Sequence, residues 1–305
     1  HIKADFDLMH PDLASLLGDP AFERLKVEQA KLLDVVIHSD TAFVVKDRSL
    51  HVESIAAGES ENVFYLASIH KQKIVQIDGS GKVSDFTTSG QDGLTSVFGI
   101  KLDASRKILW ACSSPTKEME NQDAAAVSAV FQYDLHSRKL MSRFTSDEYS
   151  NSQFGDLAIS PSGDVFVSDG GNNIIFRVNE SSGKLDPFFT SGEFWNIQGI
   201  SFDTSGKYLY IADYVRGIFR LDMEKTTLKH LSQKFPLSTK AIDGLTFYKN
   251  SLIAIQNLVH PMRVTQYGLD DSGEQLVGYR IIDRGHPAYN EPTTGCLVSD
   301  TFFYV

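Results

Sequence analysis

Cysteine is nearly absent from this 305-residue chain, which holds only Cys112 and Cys296. Neither belongs to a CxxC pair or a Cys/His cluster, and this argues against a zinc or dithiol redox site. Both fall inside apolar segments typical of buried free thiols, while a disulfide between them stays open because sequence does not place their Cα atoms. The chain also lacks a GxSxG elbow, a P-loop and an HExxH motif.

Two further shortages bear on partners and location. No run of about 18 apolar residues occurs, so we predict no membrane span. Basic residues are in deficit, 29 against 39 acidic ones, and the net charge of −10 argues against nucleic acid or anionic membrane as the main partner. The start at His1 and the sequon Asn179-Glu180-Ser181 favour a secreted or periplasmic protein whose signal peptide has been removed. The sequence leaves monomer and dimer open.

What the chain does contain is a repeated unit of two strands joined by a tight turn. The clearest copy is residues 196–214, in which apolar residues alternate as in half-buried antiparallel strands. Further copies occupy residues 54–68, 99–113, 156–169, 244–257 and 295–305.

One equivalent position stands just before the first strand of each copy. We call these the ring positions; they are Glu53, Phe98, Gly155, Gln198, Asp243 and Thr294. Their spacings of about 45, 57, 43, 45 and 51 residues match the period of a four-stranded propeller blade. We therefore predict an all-β fold, a six-bladed β-propeller in which the six side chains converge on the axial channel.

Residues 1–33 differ from the repeats and are predicted to form a helical arm. Asp12 and Asp19 precede helix-forming segments, and the second places Phe22 and Leu25 on one face. This face is expected to pack on the propeller, with binding to a partner as the alternative. Residues 33–38 and 42–46 read as strands. Since the last repeat supplies only two strands, we predict that they complete the last blade, making residues 34–305 one closed domain.

A long polar insertion, residues 115–128, interrupts the second repeat. Loops of this length on a rigid scaffold often carry function. It is either a lid over the channel mouth or a mobile loop.

The ring positions offer oxygen ligands for a hard cation. Glu53 and Asp243 supply carboxylates and Gln198 an amide oxygen, with Asp156 as a fourth candidate. Ca²⁺ takes six to eight oxygens, so water or substrate would complete its shell. Without a metal, a carboxylate in the channel should have a raised pKa, which suits general acid–base work.

Other residues are predicted to line a substrate pocket at the same mouth. Phe98 makes part of the channel apolar and favours an organic ligand. His260 is either a base or a structural histidine, and Arg216 either binds a ligand carboxylate or carbonyl or pairs with Asp213. The remaining candidates are His70, Trp195, Tyr214 and Asn257.

The repeat pattern over roughly residues 50–305, with Glu53 before the first blade and Asp243-Gly244 before the fifth, resembles the senescence marker protein/gluconolactonase family. Related folds are paraoxonase, diisopropylfluorophosphatase and strictosidine synthase. In the metal-dependent members a Glu, two Asn and an Asp hold a catalytic calcium. By position the acids are Glu53 and Asp243, while the two Asn fall on Gly155 and Gln198. The NLVHP segment at His260 resembles the His-Pro segment of paraoxonase-like members.

This resemblance implies a gluconolactonase-like enzyme acting on a small organic molecule in the axial channel. Its reaction would be lactone or ester hydrolysis, assisted by Ca²⁺ on Glu53, Gln198 and Asp243 if the altered site binds it. Glu53, Asp243 and His260 are then the candidate catalytic residues. One alternative is a metal-free cyclase or condensing enzyme, strictosidine synthase-like or pericyclase-like. A second is a non-enzymatic propeller that binds a ligand or a protein.

Overall fold

A computed structural model of the chain describes residues 6–149 and 151–305, so the first five residues of the predicted arm lie outside it. The arm contains a short 3₁₀ helix, Pro11–Leu16, and an α-helix, α1 (Pro20–Leu33). His10, rather than Asp12, caps the first helix. Asp19 caps α1 as predicted, because its carboxylate accepts the backbone N–H groups of residues 21 and 22.

Antiparallel strands follow and form five blades, each strand pairing with its neighbour in the chain. Blade one comprises β1 (Val52–Ala57), β2 (Phe64–Ser68), β3 (Lys73–Ile77) and β4 (Val83–Asp85). Blade two comprises β5 (Ser96–Asp103), β6 (Ile108–Ser114), β7 (Ala129–Asp134) and β8 (Leu140–Phe144). Blade three comprises β9 (Phe154–Ile159), β10 (Val165–Asp169), β11 (Ile174–Asn179) and β12 (Lys184–Thr190). Blade four comprises β13 (Ile197–Phe202), β14 (Tyr208–Asp213), β15 (Gly217–Asp222) and β16 (Thr227–His230). Blade five comprises β18 (Ile242–Tyr248), β19 (Ser251–Gln256), β20 (Arg263–Leu269) and β21 (Gln275–Arg284), and β17 (Ser232–Gln233) joins its edge.

The prediction of six blades is wrong: the fold is an all-β propeller with five. The sixth repeat forms only a two-stranded sheet, β22 (Gly295–Val298) and β23 (Thr301–Tyr304). This hairpin lies between blade five and blade one, where β22 contacts both β18 and β1. It therefore bridges the ring without adding outer strands.

The predicted closure by N-terminal strands is also wrong, since α1 runs to Leu33 and residues 34–46 contain no strand. Their one ladder contact is an isolated bridge between Val36 and Arg284. The physical reason is competition from a side chain: the Asp283 carboxylate accepts the N–H groups of His38 and Ser39, which a neighbouring strand would otherwise pair. The alternating apolar residues are buried by packing instead, with Phe43 against the core of blade one and the hairpin.

The hydrophobic core lies between adjacent blades. Each cluster combines the facing sides of two neighbouring sheets, as where Trp110 of blade two meets Phe154 and Phe176 of blade three. The hairpin joins blade one through Phe303 and blade five through Phe302. Cys112 is buried within this core and Cys296 half-buried near the axis; both are free thiols.

The inner strands approach one another closely around the axis. A Cβ on Gly244 would lie 2.5 Å from the carbonyl oxygen of Thr293, and a Cβ on Gly99 would lie 2.9 Å from the Cα of Asp156. Neighbouring strands therefore touch backbone to backbone, which only glycine permits. A β-bulge interrupts the pairing of the inner strand with the second strand in all five blades. Bulges re-aim side chains, and here they occur at the ring positions.

A buried polar side chain ends the second strand of each blade and fastens the loops of the channel mouth. In blade four the Asp213 carboxylate accepts four backbone N–H groups, from residues 195, 196, 215 and 216. Asp169 does the same work in blade three through residues 153, 171 and 172. Asp213 is buried and binds the backbone of Arg216, and among the described residues no ion pair joins it to the Arg216 guanidinium, so the alternative of a surface pair between them is not observed.

The arm adds little buried surface, because Phe22 is the one buried residue of α1. Its C-terminal end is held by the Arg284 guanidinium, which donates to the carbonyl oxygens of Lys31 and Asp34. No helix among the described residues is long and apolar enough to cross a membrane.

We predict that Asp213→Ala destabilises the protein by about 3 kcal/mol, because it leaves four backbone donors at a buried site without their acceptor. Urea unfolding followed by circular dichroism measures this free energy. Asp271→Ala, at an exposed turn, is the matched control and should stay within about 0.5 kcal/mol of the parent. Equal stabilities of the two variants would contradict the role of Asp213.

Candidate functional site

The channel has two mouths, and we call the one where the inner strands begin the upper mouth. The ring positions lie there, immediately inside the loops that Asp169 and Asp213 fasten. Glu53 and Asp243 are half-buried, and each sits in the bulged part of its strand. The structure thus brings together the two carboxylates that sequence singled out.

Burial and nearby negative charges dominate the electrostatics of this pair. Desolvation first, and then the charges of Asp243, Glu291 and Glu118, raise the pKa of Glu53 well above its usual range. Burial likewise raises the pKa of Asp243 to about 7, and a hydrogen bond from Asn257 works against this rise. Among the described residues, no Lys or Arg forms an ion pair with either carboxylate. Two acids in this setting do not both ionise readily near neutral pH.

Asp243 is held by a chain of two polar side chains. The Asn257 amide donates to Asp243 Oδ2 at 2.6 Å, and the Tyr214 hydroxyl donates to Asn257 Oδ1 at 2.5 Å. Burial raises the pKa of Tyr214, which keeps the hydroxyl protonated as a donor. Glu53 differs, because among the described residues its carboxylate accepts no hydrogen bond; only its backbone oxygen is bonded, by the hydroxyls of Thr293 and Thr294.

Gln198 and Gly155 are complementary in shape on the neighbouring inner strands of blades three and four. A Cβ on Gly155 would lie 2.6 Å from Gln198 Oε1, so the longer side chain fills the space that the glycine leaves open. Gln198 Nε2 donates to Asn196 Oδ1 at 2.6 Å, which fixes the amide with its oxygen towards residue 155. Gly155 and Gln198 stand where the resembled family has two Asn, and these two replacements are therefore linked sterically.

Asp156 does not join the other acids at the upper mouth. Its Oδ1 lies 3.2 Å from Lys101 Nζ and also accepts the N–H of Leu157, while Oδ2 accepts the N–H of Ile200. It acts as a buried link between blades three, two and four.

The insertion 115–128 lies against blade one beside Glu53. His70 fastens it, because its Nδ1 lies 2.6 Å from the carbonyl oxygen of Glu118 and its own carbonyl accepts the N–H of Glu120. Glu118 in turn lies 3.4 Å from His51. His70 therefore positions this loop, whereas the sequence predicted it to line the substrate pocket.

Trp195 and Arg216 form an exposed pair on the rim of blade four. Trp195 is 60% exposed, and the Arg216 guanidinium carbon lies 5.3 Å from its ring centroid. This is a cation–π contact, and it leaves the Arg216 donors open to solvent. Phe98 is half-buried at its ring position and packs against the core of blades two and three.

His260 lies in the loop between β19 and β20, three residues beyond Asn257. Among the described residues, no hydrogen bond joins its ring to Glu53 or Asp243. Its role as a base stays a prediction.

Sequence reasoning missed two polar residues of this mouth. Glu291 adds its charge to both carboxylates, and Asn196 orients Gln198. Both precede a ring position by two or three residues, in the loop that enters an inner strand. That spacing is a usable signal once the ring positions are known.

The oxygen atoms at the ring positions meet only part of what a bound cation requires. Among the described residues, no group of three or more His, Cys, Asp or Glu side chains is arranged to hold a metal ion. The oxygens of Glu53, Asp243 and Gln198 are the types that Ca²⁺ prefers, but three protein ligands leave at least three positions to water or substrate. Asp156 is not suited as a fourth ligand because both its oxygens are already bonded.

The fold defines the class of the protein as a β-propeller. No protein-family model matches the sequence, and no curated protein matches it significantly. Among solved structures it is similar to the Malassezia sympodialis allergen Mala s 1, with a TM-score of 0.65, 15% identity, and 84% of this chain and 86% of that chain covered.

Two enzymes share the fold as well. A Xanthomonas campestris gluconolactonase has a TM-score of 0.59 and 13% identity, over 83% of this chain and 82% of that one. A catalytically inactive virginiamycin B lyase from Staphylococcus aureus, with quinupristin, has a TM-score of 0.60 and 13% identity, over 86% and 79%. Likenesses at these identities show the fold alone.

We predict that Gly155→Ala destabilises the protein by about 1 kcal/mol, because the new methyl group displaces Gln198 Oε1 and disturbs its bond to Asn196. In a Gln198→Ala background the same change should cost close to nothing. A double-mutant cycle measured by urea unfolding gives the coupling. Additive effects would show that the two residues do not share this space.

Asp243 should make the protein less stable as the pH rises. Its folded pKa of about 7 exceeds the value near 4 of an unfolded aspartate, so between these values the folded state binds more protons and the free energy of unfolding falls. Asp243→Asn should therefore increase stability only slightly at pH 4.5 and much more at pH 8. Urea unfolding at both pH values checks this, with Asp271→Asn as control. An equal effect at both pH values would refute the assignment.

Proposed function

We propose that the protein is a hydrolase of small lactones or esters, in which Glu53 and Asp243 are the acid and the base. The observation that carries this proposal is the pair itself: two carboxylates at a channel mouth, with pKa values raised by burial and repulsion. Perturbed pairs of this kind are characteristic of catalytic sites. The gluconolactonase with the same fold supports the substrate class.

The surroundings of the two acids support different roles for them. The amide of Asn257 stabilises the charged form of Asp243, and this favours Asp243 as the carboxylate of the pair. Glu53 has no such donor among the described residues, and it lies among three other acidic groups, so it retains the proton. Environments that push two pKa values apart define an acid and a base.

The reaction then follows from these states. Asp243 removes a proton from water as the water oxygen bonds to the carbonyl carbon. The resulting tetrahedral intermediate collapses, and the bond from that carbon to the ring oxygen breaks. Glu53 gives its proton to the leaving oxygen, so a lactone yields a hydroxy acid. The proton on Asp243 returns to Glu53 through solvent, which restores the starting state.

Calcium is proposed as an assisting group rather than a required one. Glu53, Asp243 and Gln198 Oε1 would hold it; both carboxylates would then be ionised ligands, and the ion would polarise the substrate carbonyl in place of the proton on Glu53. Trp195 and Arg216 stand on the rim above, where an aromatic face and a planar cation suit contact with an acyl or carboxylate group. Tyr214 acts through Asn257 and positions the base.

We predict that Glu53→Gln and Asp243→Asn each lower kcat/KM on a panel of γ- and δ-lactones by about 10²–10⁴-fold, since each removes one proton-transfer partner. Glu61→Gln, an exposed glutamate in a turn, is the matched control and should retain the parent rate. Full activity of either site variant, with a folded control, would rule out the acid–base pair.

Two further measurements separate the alternatives. Hydrolysis in H₂¹⁸O places one ¹⁸O atom in the product carboxylate, whereas a metal-free cyclisation places none. For calcium, protein treated with chelator is unfolded thermally with and without millimolar Ca²⁺. A rise in the midpoint that Glu53→Gln abolishes would establish binding at the pair. No rise would remove calcium from the proposal and leave the acid–base roles standing.

A further inference from the structure

The other end of the channel holds a separate cavity. It has a volume of about 410 Å³ and is lined by the C-terminal halves of β1, β5, β9, β13 and β18 and by β22. This is the lower mouth, opposite the carboxylate pair. Its volume falls within the range of about 300–1,000 Å³ seen for small-molecule sites.

Polar and apolar surface both line this cavity, and only part of its wall is apolar. Side chains from five inner strands and the hairpin contribute, namely Ala56, Leu102, Ala158, Phe202, Leu245 and Leu297. These side chains give an aliphatic group a surface to pack on.

One positively charged side chain faces this cavity. Lys101 is the only Lys or Arg among the lining residues, and its side chain is 25% exposed. Its Nζ lies 3.2 Å from Asp156 Oδ1, its one hydrogen-bond or ion-pair partner among the described residues. An ammonium group has three N–H donors, so two remain for a ligand. Asp156, by contrast, already receives backbone N–H groups on both oxygens.

The other ionisable groups of the cavity do not offset this preference. The carboxylate of Asp203 is turned to its own tight turn, where it accepts from Tyr208 N and Ser205 Oγ. Burial raises the pKa of the Cys296 thiol to about 12, so that it is neutral. Lys101 is thus the group that a charged ligand would meet.

We propose that the lower mouth binds a medium-chain aliphatic carboxylate, with its head group on Lys101 and its chain along the apolar wall. An anion gains a charge-assisted hydrogen bond there, and its chain leaves water at the same time. This site shares no residue with the Glu53–Asp243 pair, so it stands or falls independently of the proposed hydrolase.

The test is calorimetric titration of the full chain with sodium octanoate and with octylammonium chloride, which have the same chain length and opposite charge. We expect one octanoate per protein and at least tenfold weaker binding of octylammonium. Absence of octanoate binding, or equal affinity for both, would overturn the proposal.

Variants locate the binding. Lys101→Met should lower octanoate affinity at least tenfold, because it removes the ammonium group that holds the carboxylate. Lys139→Met, an exposed lysine on blade two, should change neither affinity. Ala57→Phe, at a half-buried lining position, should abolish binding of both probes by filling the cavity. Thermal unfolding confirms that each variant is folded. Unchanged octanoate binding in Lys101→Met or in Ala57→Phe would contradict the site.

Discussion

The close approach of the inner strands is the constraint on which this structure depends. Glycines at positions 99, 199 and 244 let neighbouring backbones touch, so the channel is narrow and its first side chains meet. At the upper mouth this places Glu53 and Asp243 together without a neutralising Lys or Arg among the described residues. A larger side chain at any of these glycines would separate the strands, and the raised pKa values would fall with the separation.

The two ends of the channel differ in the side chains that they carry. The upper mouth collects acids: Glu53 and Asp243 from the strands, and Glu118 and Glu291 from the loops. The lower mouth combines apolar side chains with Lys101, which neutralises Asp156. Asp156 lies between the two ends, and its charge contributes to the raised pKa of Asp243. The bulged start of each inner strand carries a ring position, while the regular end of the strand lines the lower cavity.

Much of the propeller was predictable from the sequence, because the alternation of apolar residues repeats at nearly constant spacing. The inner pairs of strands lie where the repeated units predict them, as at Ile197–Phe202 and Tyr208–Asp213 within residues 196–214. The predicted number of blades was wrong because the alternation of apolar residues does not show whether the backbone groups of a segment pair with a neighbouring strand. Residues 34–46 carry the alternation of strands, yet Asp283 takes two of their N–H groups. The Glu53–Asp243 pair was predictable from the ring positions. The chain from Tyr214 through Asn257 was not, since it depends on side-chain directions across two blades.

The central claim is that Glu53 and Asp243 hold one proton between them near neutral pH. Carboxyl ¹³C NMR titration of the labelled protein measures this directly, with the two signals assigned by their loss in Glu53→Gln and Asp243→Asn. We expect the pair to titrate in two steps, one of them near or above pH 7. Two steps that are both complete below about pH 5, as for exposed carboxyl groups, would contradict the account.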